Sequence, residues 1–338
     1  PIALTFAALY AASVQLGFNQ ATLWLPLAIP LLVQLPLALF VGLLGQYLLE
    51  RRQKKHATRA ISYYLPERMA RDLAENLDPS AVNKIVYSTC FASDMAGFST
   101  IAETMAPKEL ALFLNDYFET IAEPLKRHKV DVTEFRADGI MCAWTAERAE
   151  VSVRRKAIRA ALEAVDAVAG FKERHALARS PVRIGLEAGT VYVGHAGGGG
   201  HFVYSIVGDC ANTAARVEGL NKHLGTHLLA TQSVVDGIDK LLLRPLGDFR
   251  LVGKSETIPI VEILTTTNGA QALLCERFSE AIEVLKTGHW VKAAEFFEAI
   301  LRDYPDDGPA RFHLARCRSY QSGSLAPDSP HVVTMDAK

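Results

Sequence analysis

The chain has 338 residues, with 36 Lys plus Arg against 37 Asp plus Glu, a formal net charge of −1. That length admits two domains or one domain with appendages, and the balanced charge excludes a broad nucleic-acid surface. Cys90, Cys142, Cys210, Cys275 and Cys317 lie far apart with no C-x-x-C pair, which excludes a disulfide framework or thiolate metal cage and fits reduced thiols in a cytosolic domain.

The chain opens at Pro1, already inside an apolar run, and reads as a fragment whose natural start lies upstream. Residues 2–18 and 23–49 are two apolar runs separated by Asn19-Gln20-Ala21-Thr22. A bilayer core takes roughly 20 helical residues. Residues 1–50 are therefore read as two transmembrane helices, with Pro26, Pro30 and Pro36 as kinks; the alternative is a pair of buried core helices. Arg51-Arg52-Gln53-Lys54-Lys55-His56 follows, a cluster that marks the cytoplasmic side. Residues 51–82 read as a helical connector, broken at Tyr63-Tyr64-Leu65-Pro66 and resuming over 67–76. It is either a spacer or a dimeric rod.

From residue 83 the pattern changes to strands and helices. Residues 84–92 are rich in β-branched and aromatic side chains, a strand. Residues 107–128 have helical periodicity. Residues 130–136 and 140–145 make a hairpin with Asp138-Gly139 at its turn. A helix over 154–175 precedes strands at 182–188 and 191–195, a glycine-rich tip at 197–200 and a strand at 204–207. A helix over 212–224 and strands at 228–231, 249–252 and 258–263 complete the set. The order βαββαβ with extra strands predicts an α/β (α+β) sandwich, with helices on one face of a mainly antiparallel sheet.

Within it, Asp94 and Asp138 each end a run of strand-forming residues just before a glycine. Brought together they would repel, and hard divalent cations relieve that repulsion through oxygen ligands. Two-metal phosphoryl chemistry requires this arrangement. Taken singly, each also reads as an ordinary turn Asp.

Phe91-Ala92-Ser93-Asp94-Met95-Ala96-Gly97-Phe98-Ser99, Ala137-Asp138-Gly139, Arg183-Ile184-Gly185-Leu186-Glu187-Ala188-Gly189 and Val207-Gly208-Asp209-Cys210-Ala211-Asn212-Thr213-Ala214-Ala215-Arg216 occur in this order. Together, over about residues 83–264, they resemble the class III adenylyl/guanylyl cyclase catalytic domain, with its ferredoxin-like core. The resemblance implies that a ribose 3′-hydroxyl attacks its own α-phosphorus and pyrophosphate leaves. Asp94, Asp138 and the Met95 backbone carbonyl would hold two Mg²⁺ or Mn²⁺ ions. Asn212 would orient the ribose, and Arg216 would stabilise charge on the α-phosphate. The metal carboxylates come from one subunit and the Asn/Arg helix from the other, so a homodimer is implied. Alternatively, Arg216 is a surface arginine paired with Glu218 or Glu187.

In the family, base choice falls to the positions of Glu134 and Ser205. A carboxylate accepts from guanine N1 and N2, whereas adenine presents an acceptor at N1. The pair leans toward GTP, yet bacterial members with unorthodox residues here look like ATP users, so ATP and GTP both stand. Ala137 replaces the usual Gly, and Leu251-Val252-Gly253 replaces Leu-Lys-Gly, leaving Lys254 as either a substitute phosphate ligand or a solvated loop lysine. By the same resemblance the chain belongs in a bacterial inner membrane, multi-pass, with its catalytic domain cytoplasmic. The alternative function is a catalytically silent scaffold or nucleotide-binding regulator. A diguanylate cyclase is excluded because no Gly-Gly-Asp/Glu-Glu-Phe signature is present.

Residues 265–269 form a polar linker. Residues 270–320 read as three helices broken at Gly288 and at 303–307, similar to a single tetratricopeptide-like unit. One such unit cannot bury its own face, so it is either a cap on the catalytic domain or a docking module for a protein partner. Residues 321–338 are Ser/Pro-rich and predicted to be disordered.

Overall fold

The structure, a computed structural model, describes residues 2–21, 29–62, 83–178, 181–199, 201–265, 269–324 and 332–335. The chain divides into two compact units, Pro1–Leu77 and Asp78–Lys338.

The first unit holds helices α1 (Ile2–Ala21) and α2 (Leu35–Ser62), the latter led in by one π-helical turn, Pro30–Gln34. Pro36 has no N–H to give to that turn, and the backbone just before it takes the wider π-helical form. Among the described residues, one helical stretch is long and apolar enough to cross a membrane, Leu32–Arg52, and none of its apolar window is buried. The two-span, multi-pass expectation is thus not supported. The predicted break at Tyr63–Pro66 and the helix over 67–76 lie outside the described residues.

In the second unit the elements follow as β1 (Lys84–Met95), α3 (Phe98–Thr104), α4 (Pro107–Arg127), β2 (Val132–Arg136), β3 (Gly139–Ala146), α5 (Val151–Arg174), β4 (Val182–Gly198), β5 (His201–Val207), α6 (Asp209–Leu224), β6 (Leu228–Thr231), α7 (Gln232–Val235), β7 (Leu243–Arg250), β8 (Ile258–Ile263), α8 (Gly269–Lys286), α9 (Trp290–Asp303), α10 (Gly308–Gln321) and β9 (Val332–Thr334). The sheet order is β2-β3-β1-β4-β6-β8-β7-β9, with β5 pairing on β4. Among the described residues, only β4–β6 and β7–β9 are parallel.

Helices cover both faces of this sheet, where one face was expected. Along β6, Leu228 and Ala230 join a core with Phe113, Ile158 and Phe171 of α4 and α5. Between them Leu229 joins a second core with Val217, Leu220 and Leu224 of α6 and Phe278, Phe297 and Leu314 of α8–α10. Alternate residues of a strand point to opposite faces, so the continuous apolar run at 228–230 marks a strand buried on both sides. The long β4 also runs unbroken through Gly189, where two strands were expected.

The C-terminal helices form a cap on the sheet. Arg244 of β7, 3% exposed, pairs with Glu262 of β8 and with Asp307, the N-cap residue of α10. Disorder was predicted for the whole of 321–338, but Val332–Thr334 is a strand. Its Val332 and Val333 are buried, it pairs with β7 from Asp248 to Arg250, and Arg316 donates to the Val332 carbonyl at 3.1 Å. All five cysteines are buried and unpaired.

His313 lies inside the cap, stacked on Phe297 at 5.4 Å. Burial, then the nearby Arg316 charge, pulls its pKa down to about 3. The folded imidazole stays neutral while the unfolded one takes a proton below about 6.5, so stability falls as pH drops from about 6.5 toward 3. By pH 5 the loss should be on the order of 2 kcal/mol. Between pH 7.5 and pH 5, urea unfolding should show the parent losing this much stability relative to His313→Phe; an identical pH dependence of the two would refute it.

Candidate active site

The site begins where β1 ends. Asp94 is register partner of Gly139 on β3 and of Arg183 on β4. The tight hairpin between β2 and β3 carries Asp138 back over that strand end. A Cβ on Gly139 would sit 2.4 Å from the Ser93 carbonyl oxygen, so glycine is needed for the hairpin to close on β1. Ala137, before Asp138, is held at φ 38°, a left-handed conformation that glycine adopts without penalty and alanine does at a cost of roughly 1–2 kcal/mol. The departure from the family's glycine therefore strains this turn.

The Asp94 and Asp138 carboxyls meet within hydrogen-bonding reach. Burial and the Asp138 charge raise the Asp94 pKa to about 6, against the pull of Arg183. Arg183 donates to Asp94 Oδ2 at 2.6 Å and pairs through Nε with Glu218 Oε1 at 3.4 Å. Glu218, on α6, is pushed up to about 8 by burial and by Asp94, again opposed by Arg183. Two acids expected from the sequence thus stand with a third acid and an arginine that were not. The signal for Arg183 is a lone cation in the apolar strand 182–186. Glu218 had a different expected partner: it and Glu187 were the alternatives for Arg216, yet Glu218 faces Arg183 and Glu187 accepts from Ser233.

Among the described residues no group of three or more His, Cys, Asp or Glu side chains is placed to cage a metal. A hard ion bound at Asp94 and Asp138 would complete its shell from the Met95 carbonyl, water and phosphate oxygens, which suits Mg²⁺. The repulsion that raises Asp94 is what such an ion would relieve, so the donor set fits.

Glu134 and Ser205, 71 positions apart, are in contact. Ser205 Oγ donates to Glu134 Oε2 at 3.0 Å, and Arg136 Nε donates to Oε1 at 3.0 Å. Glu134 is register partner of Met141, and Met141 of Ala92. Ala92 lies two residues before Asp94, so Glu134 and Asp94 share one face of the sheet.

Arg216 lies on α6, half-buried. It lines a cavity of about 380 Å³ together with Asp94, Arg183, Glu218, Leu251 and Met335. Asn212, one turn earlier, is exposed and does not line it. Lys254 is ion-paired with Asp209 at the start of α6.

The family profile of the adenylate and guanylate cyclase catalytic domain matches residues 83–259, just over half of the chain. Adenylate cyclase 1 of Rhizobium meliloti is 31% identical over 180 residues, covering 52% of this chain and 27% of that protein. The adenylate cyclase of Anabaena cylindrica is 28% identical over 200 residues, 56% of this chain and 39% of that protein. A receptor-type guanylate cyclase of Caenorhabditis elegans is 26% identical over 214 residues, 62% and 18% respectively. The chain thus spans well under half the length of these relatives. A solved bacterial light-regulated adenylyl cyclase shares the fold with a TM-score of 0.55 at 24% identity, covering 68% of this chain and 66% of that one. Over residues 83–259 the chain belongs to the adenylate and guanylate cyclase catalytic domain family.

Proposed function

We propose that this chain is a nucleotide cyclase that turns a purine nucleoside triphosphate into its 3′,5′-cyclic monophosphate and pyrophosphate, as a homodimer. The observation that carries the reading is the Asp94–Asp138 pair sharing one sheet face with Glu134. An acidic locus for a metal–triphosphate and a polar locus for a base then lie along a single nucleotide. The O3′–Pα bond forms as the bond from Pα to the oxygen of the β-phosphate breaks.

Asp94 and Asp138, with the Met95 carbonyl, would hold Mg²⁺ or Mn²⁺. Bound there, the ions would acidify the 3′-hydroxyl and offset triphosphate charge. Arg183 fixes the Asp94 carboxylate by its 2.6 Å hydrogen bond, and Glu218 holds Arg183 from behind. Asn212 supports a shared site, because it is exposed in its own protomer. The partner's Asn212 orients the ribose and the partner's Arg216 meets the charge that grows on the α-phosphate, an interaction strongest in the transition state. Lys254 is a poor phosphate ligand here, since Asp209 already holds it.

At the base, the Glu134 carboxylate is an acceptor that guanine N1–H and N2–H can satisfy, with the Ser205 hydroxyl turning to O6. Adenine N1 facing that carboxylate would set acceptor against acceptor. Relatives named adenylate cyclases support ATP. The exposed stretch Leu32–Arg52, with basic residues on into 54 and 55, supports membrane attachment with the catalytic unit on the cytoplasmic side.

The test is to incubate the protein with Mn²⁺ and equal ATP and GTP and measure both cyclic products. A verified dimer that makes neither would overturn the reading in favour of a silent scaffold. Asp94→Ala should cut turnover by about 100-fold or more while leaving the melting temperature unchanged or higher, since a buried repulsion is removed; near-parental turnover would rule out the metal role. Glu134→Lys should move the ATP/GTP product ratio toward ATP by about 10-fold or more. A ratio that does not move would exclude residue 134 from base selection.

A further inference from the structure

The C-terminal helices have spent their apolar faces on the catalytic domain. The inward stripe of α6, Val217, Leu220 and Leu224, is fully buried in one core with Phe278, Phe297, Leu314 and Val333. Leu229, Leu246, Phe249 and Ile260 of the sheet belong to the same core, so α6 lies between sheet and cap. Where α6 ends, the cap approaches backbone to backbone. A Cβ on Gly308 would lie 2.1 Å from the Leu224 carbonyl oxygen and 3.1 Å from the Gly225 Cα, so α10 starts directly against the last turn of α6. The adjoining residue, Asp307, caps α10 by accepting from the Ala310 N–H at 2.8 Å, and its other oxygen pairs with buried Arg244. A buried ion pair loses much when either partner is removed, so this contact fixes the start of α10 relative to β7.

A second brace reaches the other side of α6. The Arg216 guanidinium rests on the turn after β7, where a Cβ on Gly253 would be 3.4 Å from Arg216 Nη2. That turn is extended from the strand that β9 covers: Arg250 pairs with Thr334, and the Met335 N–H donates to the Arg250 carbonyl at 3.0 Å. Met335 then lines the same cavity as Arg216.

We propose that the segment from α8 to β9 is a positioning element of the active site, which sets the pitch of α6 and so the placement of Asn212 and Arg216; this rests on the cyclase roles proposed for those two residues. It acts through α6, from Gly308 at one end and from β9 behind Arg216 at the other.

The full chain tests it with Gly308→Ala. Amide exchange over residues 217–224 should rise about 10-fold or more, while amides of β1 to β3 keep their protection. With Mn²⁺ and the preferred nucleotide, kcat should fall about 10-fold or more, as for other small misplacements of a catalytic group, with KM held within about twofold. In an Asn212→Ala/Arg216→Ala background the same substitution should lose most of its effect on kcat, because it acts through those two groups. A change that only loosens the fold would instead lower activity equally in both backgrounds. Should Gly308→Ala fail to fold, Asp307→Asn takes its place, since it keeps the cap to Ala310 and removes one charge from Arg244. Unchanged exchange in α6, or equal loss of kcat with and without the Asn212 and Arg216 side chains, would overturn the proposal. If the parent chain cyclises neither ATP nor GTP, the cyclase reading falls, and the exchange measurement still decides whether the cap holds α6.

Discussion

The catalytic unit is built over a buried imbalance of charge. Asp94 and Glu218 both lie against Arg183, and Asp138 leans on Asp94. One guanidinium therefore answers three carboxyls at the edge of an apolar sheet. Desolvation works against every one of these charges. The arrangement persists because each group is attached to a different rigid element: β1, the β2–β3 hairpin, β4 and α6. Relaxing any one of them would mean unpairing a strand or lifting a helix.

That imbalance also has a sign. Asp94 rises to about 6 and Glu218 to about 8, above their unfolded values near 4. The folded state thus holds protons that the unfolded state gives up. These two groups contribute least to stability once pH has risen through their folded pKa values. Near neutrality the site is under electrostatic load, and a cation there would discharge it. Stability given up locally in this way is common where a site must bind charge.

How much of this could be read in the sequence follows from the range of the interactions. Asp94 and Asp138 were legible because each is signalled locally, by a strand run that stops at a glycine. The contact between Glu134 and Ser205 was legible only through the family resemblance, since nothing local links β2 to β5. Arg183 and Glu218 were hidden for a physical reason: a charge in a strand or helix declares its residue type but not its partner, and the natural i, i+2 neighbour of Glu218 turned out to be the wrong one. The two-faced sheet was foreshadowed by unbroken apolar runs at 228–230, whose meaning depends on a cap that only the fold supplies. The strand at Val332–Thr334 was missed because three β-branched residues, though each favours a strand, make a run too short to signal one within a Ser/Pro-rich tail. Its order comes from β7 and from Arg316.

The same reasoning bears on the C-terminal helices. A lone helical repeat unit has an apolar face that must be covered, and sequence alone leaves its cover unspecified. Here β7, β8 and α6 cover it, and the covering is mutual. Phe278 packs under Arg244, whose guanidinium lies 5.1 Å from the ring, and Leu224 packs among the cap's side chains. The face of the cap that is turned to β7 and α6 is already core. The cap and the helix that carries Asn212 and Arg216 are therefore one packing unit. A perturbation of either is felt by the other through contacts too close, at Gly308 and Leu224, to be taken up by side-chain motion.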